Sequence, residues 1–270
     1  MDLIKIRADY YQQFDADFNL DVPGEGYGGW KKAEIDVSTE HTALIVMHAW
    51  DMGSREEYPG WHRAVEYIPR ASEICKTIFP TLLKAVRNSN MRLIHVVSGS
   101  YYQNLPGYLK TVELAGPEPE QPSKIEADPV TSQLWKFREK NVFVGEHNDA
   151  DVNRGFAEMG FPPEAEPLDE EYIAGNSHQL SAICKAHGIN HLIYTGFAIN
   201  WCLLLSPGGM ADMSRRGIMC SAIRQAVTAV ESKETAREEI CKQIALWRVA
   251  LAFGFVFDLY DFISALSHKI

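Results

Sequence analysis

Short, continuously apolar runs alternate with stretches of helical periodicity along much of the chain. The apolar runs are TALIVMHAW (42–50), RLIHVVSG (92–99), HLIYTGFA (191–198), GIMCSAI (217–223) and FGFVFDL (253–259). Such runs are typical of strands that are buried on both faces of a parallel sheet. Helical spacing occupies residues 74–90, 180–190 and 233–253. The pattern predicts an α/β fold with three layers (α/β/α), in which helices cover both faces of a doubly wound, mainly parallel sheet.

Two regions do not follow this alternation. Residues 1–40 contain PGEGYGGW (23–30) and are expected to form an N-terminal extension with a glycine-rich loop before the first strand. Residues from about 100 to 165 are long for a connection between two strands, so we expect an insertion that forms a cap, a lid or a subunit contact. Neither region is long enough for a clear domain of its own, and we expect a single domain over residues 1–270.

Composition narrows the classes of partner. The 270 residues carry a net charge of −10, which disfavours a nucleic-acid surface, and 46% of them are hydrophobic, which is enough for a sizeable core. No apolar run reaches the roughly 20 residues that span a bilayer, and the acidic start does not resemble a secretory signal. We therefore expect a cytoplasmic protein that binds neither nucleic acid nor membrane.

The five cysteines form no CxxC pair and are widely spaced, so a disulfide framework or a thiolate zinc site is not expected. Cys202 differs from the others because it follows the strand at 191–198 in GFAINWC (196–202). Ligands of open parallel sheets bind beyond the carboxyl ends of the strands, where a helix start also favours a thiolate. From position alone, Cys202 is either a nucleophile or a buried core thiol, and both interpretations stay open.

Three segments resemble the isochorismatase-like cysteine hydrolases, the superfamily of nicotinamidases and N-carbamoylsarcosine amidohydrolases. They are TALIVMHAWDMG (42–53), LSAICKAHGINHLIYTGFAINWC (180–202) and MADMSRRGIMCSAIRQAVTAVE (210–231), and they cover the expected core of the sheet. The resemblance implies that Cys202 attacks a small amide or carbamoyl compound, hydrolyses its C–N bond through a thioester and needs no cofactor. It also implies a homo-oligomer, a dimer or a tetramer.

The resemblance further implies a cis peptide bond between Phe197 and Ala198, which would aim the Ala198 and Cys202 N–H groups at an oxyanion. The family's catalytic aspartate and lysine are not present residue for residue. His48 occupies the position of the aspartate, and an ungapped count from Gly188 places Asp169 near the position of the lysine.

Two hypotheses follow from these departures. In the first, His48 is the base, Cys202 the nucleophile, and Asp169 or Glu170 orients the imidazole, as in other Cys-His-acid sites. An ordinary histidine pKa would then place the acid limb of activity at about pH 6 to 7. In the second, the fold persists without catalysis, and the protein is a binding or assembly subunit.

The remaining candidate residues concern substrate binding. Trp50, Trp201 and Tyr101 are expected to line a small-molecule pocket, with Asp51 close by as an alternative base. No metal is expected, because SGSYYQNLPGY (98–108) after the second strand has no histidine, His95 lies inside a strand, and His147 is a single histidine in a polar loop. Pro207 and the two glycines after it should break the helix that follows Cys202.

Overall fold

A mixed sheet of eight strands forms the centre of the computed structural model, which describes residues 2–120 and 123–267. The strands are β1 (Leu3–Gln12), β2 (Gly29–Ser38), β3 (Thr42–Met47), β4 (Arg92–Val96), β5 (Tyr172–Ala174), β6 (His191–Gly196), β7 (Met219–Val227) and β8 (Val256–Phe257). Their order in the sheet is β2-β1-β8-β7-β6-β3-β4-β5. The strands from β8 to β5 pair in parallel, whereas β1 is antiparallel to both of its neighbours.

Helices cover both faces of this sheet, as the α/β/α expectation requires. They are α1 (Pro59–Ala64), α2 (Ile68–Glu73), α3 (Phe79–Arg87), α4 (Pro106–Ala115), α5 (Pro129–Asn141), α6 (Asp149–Glu158), α7 (Ser177–His187), α8 (Cys202–Leu205), α9 (Met210–Arg215), α10 (Ile240–Ala252) and α11 (Leu259–Ser267). One apolar cluster lies between the sheet and the layer of α2, α3 and α11. A second lies between the sheet and the layer of α7, α9 and α10. The predicted fold class is confirmed.

Helix ends follow local capping chemistry. The Asn176 side chain accepts a hydrogen bond from the Gln179 N–H at the start of α7, and Gly188 ends that helix with φ 63°. The predicted helix at 233–253 begins later than expected, at Ile240. The reason is the Glu231 carboxylate, which accepts hydrogen bonds from two N–H groups of the first turn of α10 and so fixes its start.

Within the expected N-terminal extension, residues 2–40 form more than the glycine-rich loop that was expected before the first strand. These residues supply β1 and β2, which pair along ten residues each and add an antiparallel hairpin to the sheet. In β1, alternate side chains are buried, namely Ile4, Ile6 and Ala8. This period of two marks a strand with one face on the core, and the glycine-rich stretch between the strands obscured it.

The segment 100–165 contains α4, α5 and α6 and supplies no strand within its described residues. α6 packs on α1 at Gly155, where an added Cβ would lie 2.1 Å from the Trp61 ring. α4 packs beside β5 at Gly107, where a Cβ would lie 2.1 Å from the Glu171 carbonyl oxygen. α5, in contrast, has no buried residue.

Strand order reverses between β3 and β6. Successive strands run from β3 to β4 and β5 on one side, and from β6 to β7 and β8 on the other. The two halves are joined by hydrogen bonds at the reversal, including Thr195 Oγ1 to the Ile45 carbonyl (2.8 Å) and Phe197 N–H to the Met47 carbonyl (3.1 Å). Gly196 lies against the same carbonyl, where a Cβ would be only 1.9 Å from the Met47 oxygen.

Gly196→Ala should therefore destabilise the fold. The added methyl would overlap the Met47 carbonyl, and alanine would be strained at φ 114°. We expect the free energy of unfolding to fall by about 3 kcal/mol or more, measured by chemical denaturation. Gly160→Ala is the control, because its Cβ would meet nothing within 4 Å. Equal stability of the two variants would contradict this account of the β3–β6 contact.

Candidate active site

Strand order reverses between β3 and β6, and in doubly wound folds ligands bind in the crevice at the carboxyl edge of such a reversal. His48 follows β3 directly, and Cys202 follows the end of β6 after a short loop. The two residues are thus held by neighbouring parallel strands, Met47 being paired with Gly196. His48 has φ 52°, and its N–H donates to the Val96 carbonyl (2.9 Å), which turns the chain at the strand tip.

Cys202 is half-buried at the first position of α8, in a loop held by its neighbours. Asn200 exchanges two hydrogen bonds with the backbone of Val230, at 2.8 and 2.9 Å. The peptide bond between Phe197 and Ala198 is cis. Among the described residues, no hydrogen bond uses the N–H of Ala198 or of Cys202. Two backbone donors are therefore free in the loop that carries the thiol.

The other cysteines have different surroundings. Burial raises the pKa of the Cys75, Cys184 and Cys220 thiols to about 12, so these three are protonated at neutral pH. Cys241 is half-buried at the start of α10, and its sulfur lies 3.3 Å from Thr235 Oγ1. Cys202 is the half-buried cysteine that follows β6, and Cys241, at the start of α10, is a second half-buried thiol.

His48 is a neutral histidine. Burial lowers its pKa to about 4, and its Nδ1 has no hydrogen-bond partner among the described residues. Its ring stacks on Trp50, with the ring centroids 5.2 Å apart. The buried imidazole of His48 stays unprotonated well below pH 6. The acid limb of a pH–activity profile that depends on His48 would therefore lie well below pH 6, and not at the pH expected from an ordinary histidine.

Tyr67 is a site residue that the sequence analysis missed. It precedes α2, and its side chain is buried. Burial raises the pKa of Tyr67, and the proximity of Cys202 raises it further. Its position depends on a long-range contact, since the adjacent Glu66 accepts a hydrogen bond from the Glu231 N–H (3.2 Å). No local pattern in the sequence marks such a residue.

Asp169 does not join His48 and Cys202. It is exposed and precedes β5, at the amino edge of the sheet, whereas the crevice lies at the carboxyl edge. Gly175 and Asn176 follow the carboxyl end of β5. The ungapped count from Gly188 therefore placed the position of the family's lysine too early in the chain. Glu170 lies at the same amino edge and is also exposed.

The buried carboxylate near Asp169 belongs to a structural cluster. Burial alone would raise the pKa of Glu171, but hydrogen bonds from His95 and Arg87 outweigh it and lower the pKa to about 2. Glu171 lies 3.0 Å from His95 Nε2 and 2.7 Å from Arg87 Nε. This cluster ties β4, α3 and the start of β5 together, away from the crevice.

Three of the four predicted binding residues lie in the loops after β3 and β4. Trp50 is buried and contacts Phe156 of α6 edge-on, with ring centroids 5.7 Å apart. Tyr101 is half-buried against Phe161, with centroids 5.0 Å apart. Asp51 is exposed, and its carboxylate accepts a hydrogen bond from the Gly53 N–H (3.1 Å), so it caps its own turn.

Trp201, the fourth, is 57% exposed and has no ring partner in the described chain. It lies beside Cys202 but does not enclose it. Trp50 instead contacts Phe156, which the segment 100–165 supplies.

Four of the seven buried side-chain polar atoms that lack a hydrogen-bond partner in the described chain belong to residues that follow strands at the carboxyl edge. They are His48 Nδ1, Trp50 Nε1, Tyr101 Oη and Thr228 Oγ1. Thr228 follows β7 and accepts a hydrogen bond from the Ile199 N–H through its carbonyl (2.7 Å). Native proteins satisfy nearly all such groups, so a cluster of them at one edge indicates a place for a polar ligand or water.

Residues 2–120 and 123–267 contain no group of three His, Cys, Asp or Glu side chains that could hold a metal ion. In the same residues, no helix has the length and apolar character needed to cross a bilayer.

No protein-family model matches the chain, and no curated protein sequence matches it. Solved structures do match. A cysteine hydrolase from Pseudomonas syringae pv. phaseolicola is 15% identical, over 86% of this chain and 94% of that chain, with a TM-score of 0.49. An isochorismatase-like hydrolase from Alkaliphilus metalliredigens is 17% identical, over 83% of this chain and 98% of that chain, with a TM-score of 0.48.

The N-carbamoylsarcosine amidase from Thermoplasma acidophilum is 16% identical, over 81% of this chain and 96% of that chain, with a TM-score of 0.43. These proteins carry the names of the superfamily that the sequence resembles. At these TM-scores, the chemistry of the site has to rest on the residues of this chain.

Burial of His48 makes stability depend on pH. Its pKa is about 4 when folded and about 6.5 when unfolded, so its contribution is complete above pH 6.5 and is lost as the pH falls towards 4. Between pH 7 and pH 5, we expect wild type to lose about 2 kcal/mol more unfolding free energy than His48→Gln does. The exposed His147→Gln variant should keep the wild-type slope. Denaturation at several pH values checks this, and equal slopes for wild type and His48→Gln would contradict it.

Proposed function

We propose that the protein is a cysteine-dependent hydrolase that cleaves the C–N bond of a small amide or carbamoyl compound. The observation that carries this proposal is the position of Cys202, a half-buried thiol at the carboxyl edge of the strand-order reversal. His48 extends from the neighbouring strand tip, and the loop around Cys202 has two N–H groups without partners among the described residues. A nucleophile, a base and oxyanion donors are the parts that acyl transfer needs.

In the proposed reaction, the Cys202 sulfur attacks the substrate carbonyl while His48 accepts the thiol proton. The N–H groups of Ala198 and Cys202 donate to the oxyanion that forms. The C–N bond then breaks, the leaving amine takes the proton from His48, and a thioester remains. Water attacks this thioester, gives a proton to His48 and releases the acid, after which the thiol is restored.

His48 and Cys202 act in this proposal as a dyad. Asp169 is at the opposite edge of the sheet, and no carboxylate of the described residues contacts the His48 ring. The stacked Trp50 indole holds the imidazole in place of an acid. Burial keeps the imidazole neutral, and the neutral form is the one that can accept a thiol proton.

Substrate recognition would use the polar atoms that lack protein partners. The Trp50 indole can only donate a hydrogen bond, so it requires an acceptor on the ligand. Burial raises the pKa of Tyr101, and its hydroxyl therefore stays neutral. Together with neutral His48, these groups fit an uncharged ligand with a carbonyl or ring-nitrogen acceptor, packed against aromatic side chains.

A second candidate function is that of a catalytically inactive binding or assembly subunit. It is favoured by the sequence after β5, where Gly175 and Asn176 offer no ionisable group at the crevice. It is also favoured by the low pKa of His48, because a weak base assists thiol deprotonation less than an ordinary histidine does.

Release of ammonia or amine over a panel of uncharged amides and ureides tests the proposal. We expect turnover by wild type, and a loss of at least about 1000-fold in Cys202→Ser, because the hydroxyl is a far poorer nucleophile in a site without a strong base. Cys241→Ser should retain wild-type turnover, since this thiol lies at the start of α10. Turnover that survives in folded Cys202→Ser would contradict the assignment. No turnover across the panel would favour the inactive subunit.

A further inference from the structure

Tyr67 lies at the carboxyl edge of the sheet. It ends the loop that leaves β3, and it immediately precedes α2. Helical structure then continues over residues 68–87 and leads to the start of β4, which is parallel to β3. A helix that joins two parallel strands runs from the carboxyl edge of the sheet back to its amino edge, so its first turn lies at the carboxyl edge. Tyr67 therefore shares this edge with His48 and Cys202.

The loop after β7 links the start of α2 to the loop that carries the thiol. In the thiol loop, the Asn200 side chain exchanges two hydrogen bonds with the backbone of Val230. The next residue, Glu231, donates its N–H to the Glu66 carboxylate (3.2 Å). Tyr67 follows Glu66 directly. Two adjacent residues of one loop thus contact both segments and hold them as neighbours.

The Tyr67 hydroxyl is a hydrogen-bond donor without an acceptor in the described chain. Burial raises the pKa of Tyr67, and the proximity of Cys202 and of Glu66 raises it further, so the phenol is protonated at neutral pH. The ring packs in the apolar cluster on the α2 side of the sheet, and the residue is only 8% exposed. The hydroxyl is nevertheless absent from the fully enclosed polar atoms that lack a partner, so it keeps an opening through which a ligand can reach it.

The relation of this hydroxyl to Cys202 fits a donor to the substrate oxygen. The thiol is near enough to raise the pKa of Tyr67, yet the hydroxyl forms no hydrogen bond with the sulfur. When a sulfur attacks a carbonyl carbon, the carbonyl oxygen stays close to the sulfur and lies about 3 Å from its donors. A donor to that oxygen is therefore a neighbour of the sulfur but is not bonded to it. Because a raised pKa makes the phenol a poor acid, the phenol can donate a hydrogen bond but not its proton.

We propose that the Tyr67 hydroxyl donates a hydrogen bond to the carbonyl oxygen that Cys202 attacks. This inference rests on the proposed hydrolase function, and it adds a side-chain donor to the N–H groups of Ala198 and Cys202. As the sulfur–carbon bond forms, the C=O electron pair moves to the oxygen, and the hydrogen bond strengthens because its acceptor becomes an anion. The pair returns when the C–N bond breaks, and the proton stays on the tyrosine throughout. The interaction is thus stronger in the transition state than in the bound substrate.

Steady-state hydrolysis by Tyr67→Phe tests this role, with an amide or ureide that wild type cleaves. We expect kcat to fall about 100-fold, while KM changes less than about threefold. The unfolding transition should match that of wild type, because the lost hydroxyl has no acceptor in the described chain. Tyr172→Phe is the matched control. Tyr172 is also 8% exposed, but its hydroxyl lies 2.9 Å from His187 Nε2 at the amino end of β5, and the variant should keep the wild-type kcat.

Alkylation by iodoacetamide separates an oxyanion donor from a residue that activates the thiol or merely maintains the fold. Displacement of iodide forms no oxyanion, so Cys202 of Tyr67→Phe should react within about twofold of the wild-type rate. A wild-type kcat in Tyr67→Phe, an equal loss in Tyr172→Phe, or a parallel loss of alkylation and turnover would overturn this inference and leave the hydrolase proposal standing. A wild type without turnover on any amide or ureide would overturn both.

Discussion

The contact between the tips of β3 and β6 determines what the rest of the molecule can do. The Met47 carbonyl accepts the Phe197 N–H, and Gly196 leaves the space that lets the two backbones approach. This contact closes the sheet where its strand order reverses. It also fixes the starting points of the two loops that carry His48 and Cys202 through the backbone hydrogen bonds of the paired strands.

The same closure explains the electrostatics of the crevice. The His48 side chain follows the end of β3, stacks on Trp50 and is buried, and this burial lowers its pKa. Cys202 leaves the strand by a longer loop and stays half-buried. The segment 100–165 contributes through Phe156, whose contact with Trp50 brings α6 over the same edge. A neutral imidazole, a reachable thiol and unpaired donors are consequences of one arrangement of strands.

Much of the fold could be predicted from the sequence because its central strands are apolar on both faces. This pattern is visible in the sequence alone in TALIVM (42–47) and HLIYTG (191–196). Helix ends are marked by Gly188 and Pro207 through their own backbone preferences. β1 was missed because its alternation, LIKIRADYYQ, includes polar residues on the face that remains exposed. The start of α10 was missed because a side chain nine residues upstream, Glu231, determines it.

The site was less predictable than the fold. Positions at strand tips, such as His48 and Cys202, follow from strand order and could be found. Asp169 could not be placed, because a count along the sequence does not reveal where β5 begins or which edge of the sheet a loop occupies. Tyr67 could not be found, because its neighbour Glu66 contacts Glu231, and that contact joins residues far apart in the chain.

The relative alkylation rates of Cys202 and Cys241 test the central claim most directly. Both thiols are half-buried, but only Cys202 follows β6, the strand that pairs with β3, after which His48 lies. With iodoacetamide at neutral pH and peptide mass spectrometry, the account predicts that Cys202 reacts at least about tenfold faster than Cys241, and that this advantage disappears in His48→Gln. Equal rates for the two thiols in the folded wild type, or a Cys202 rate that does not change in His48→Gln, would contradict it.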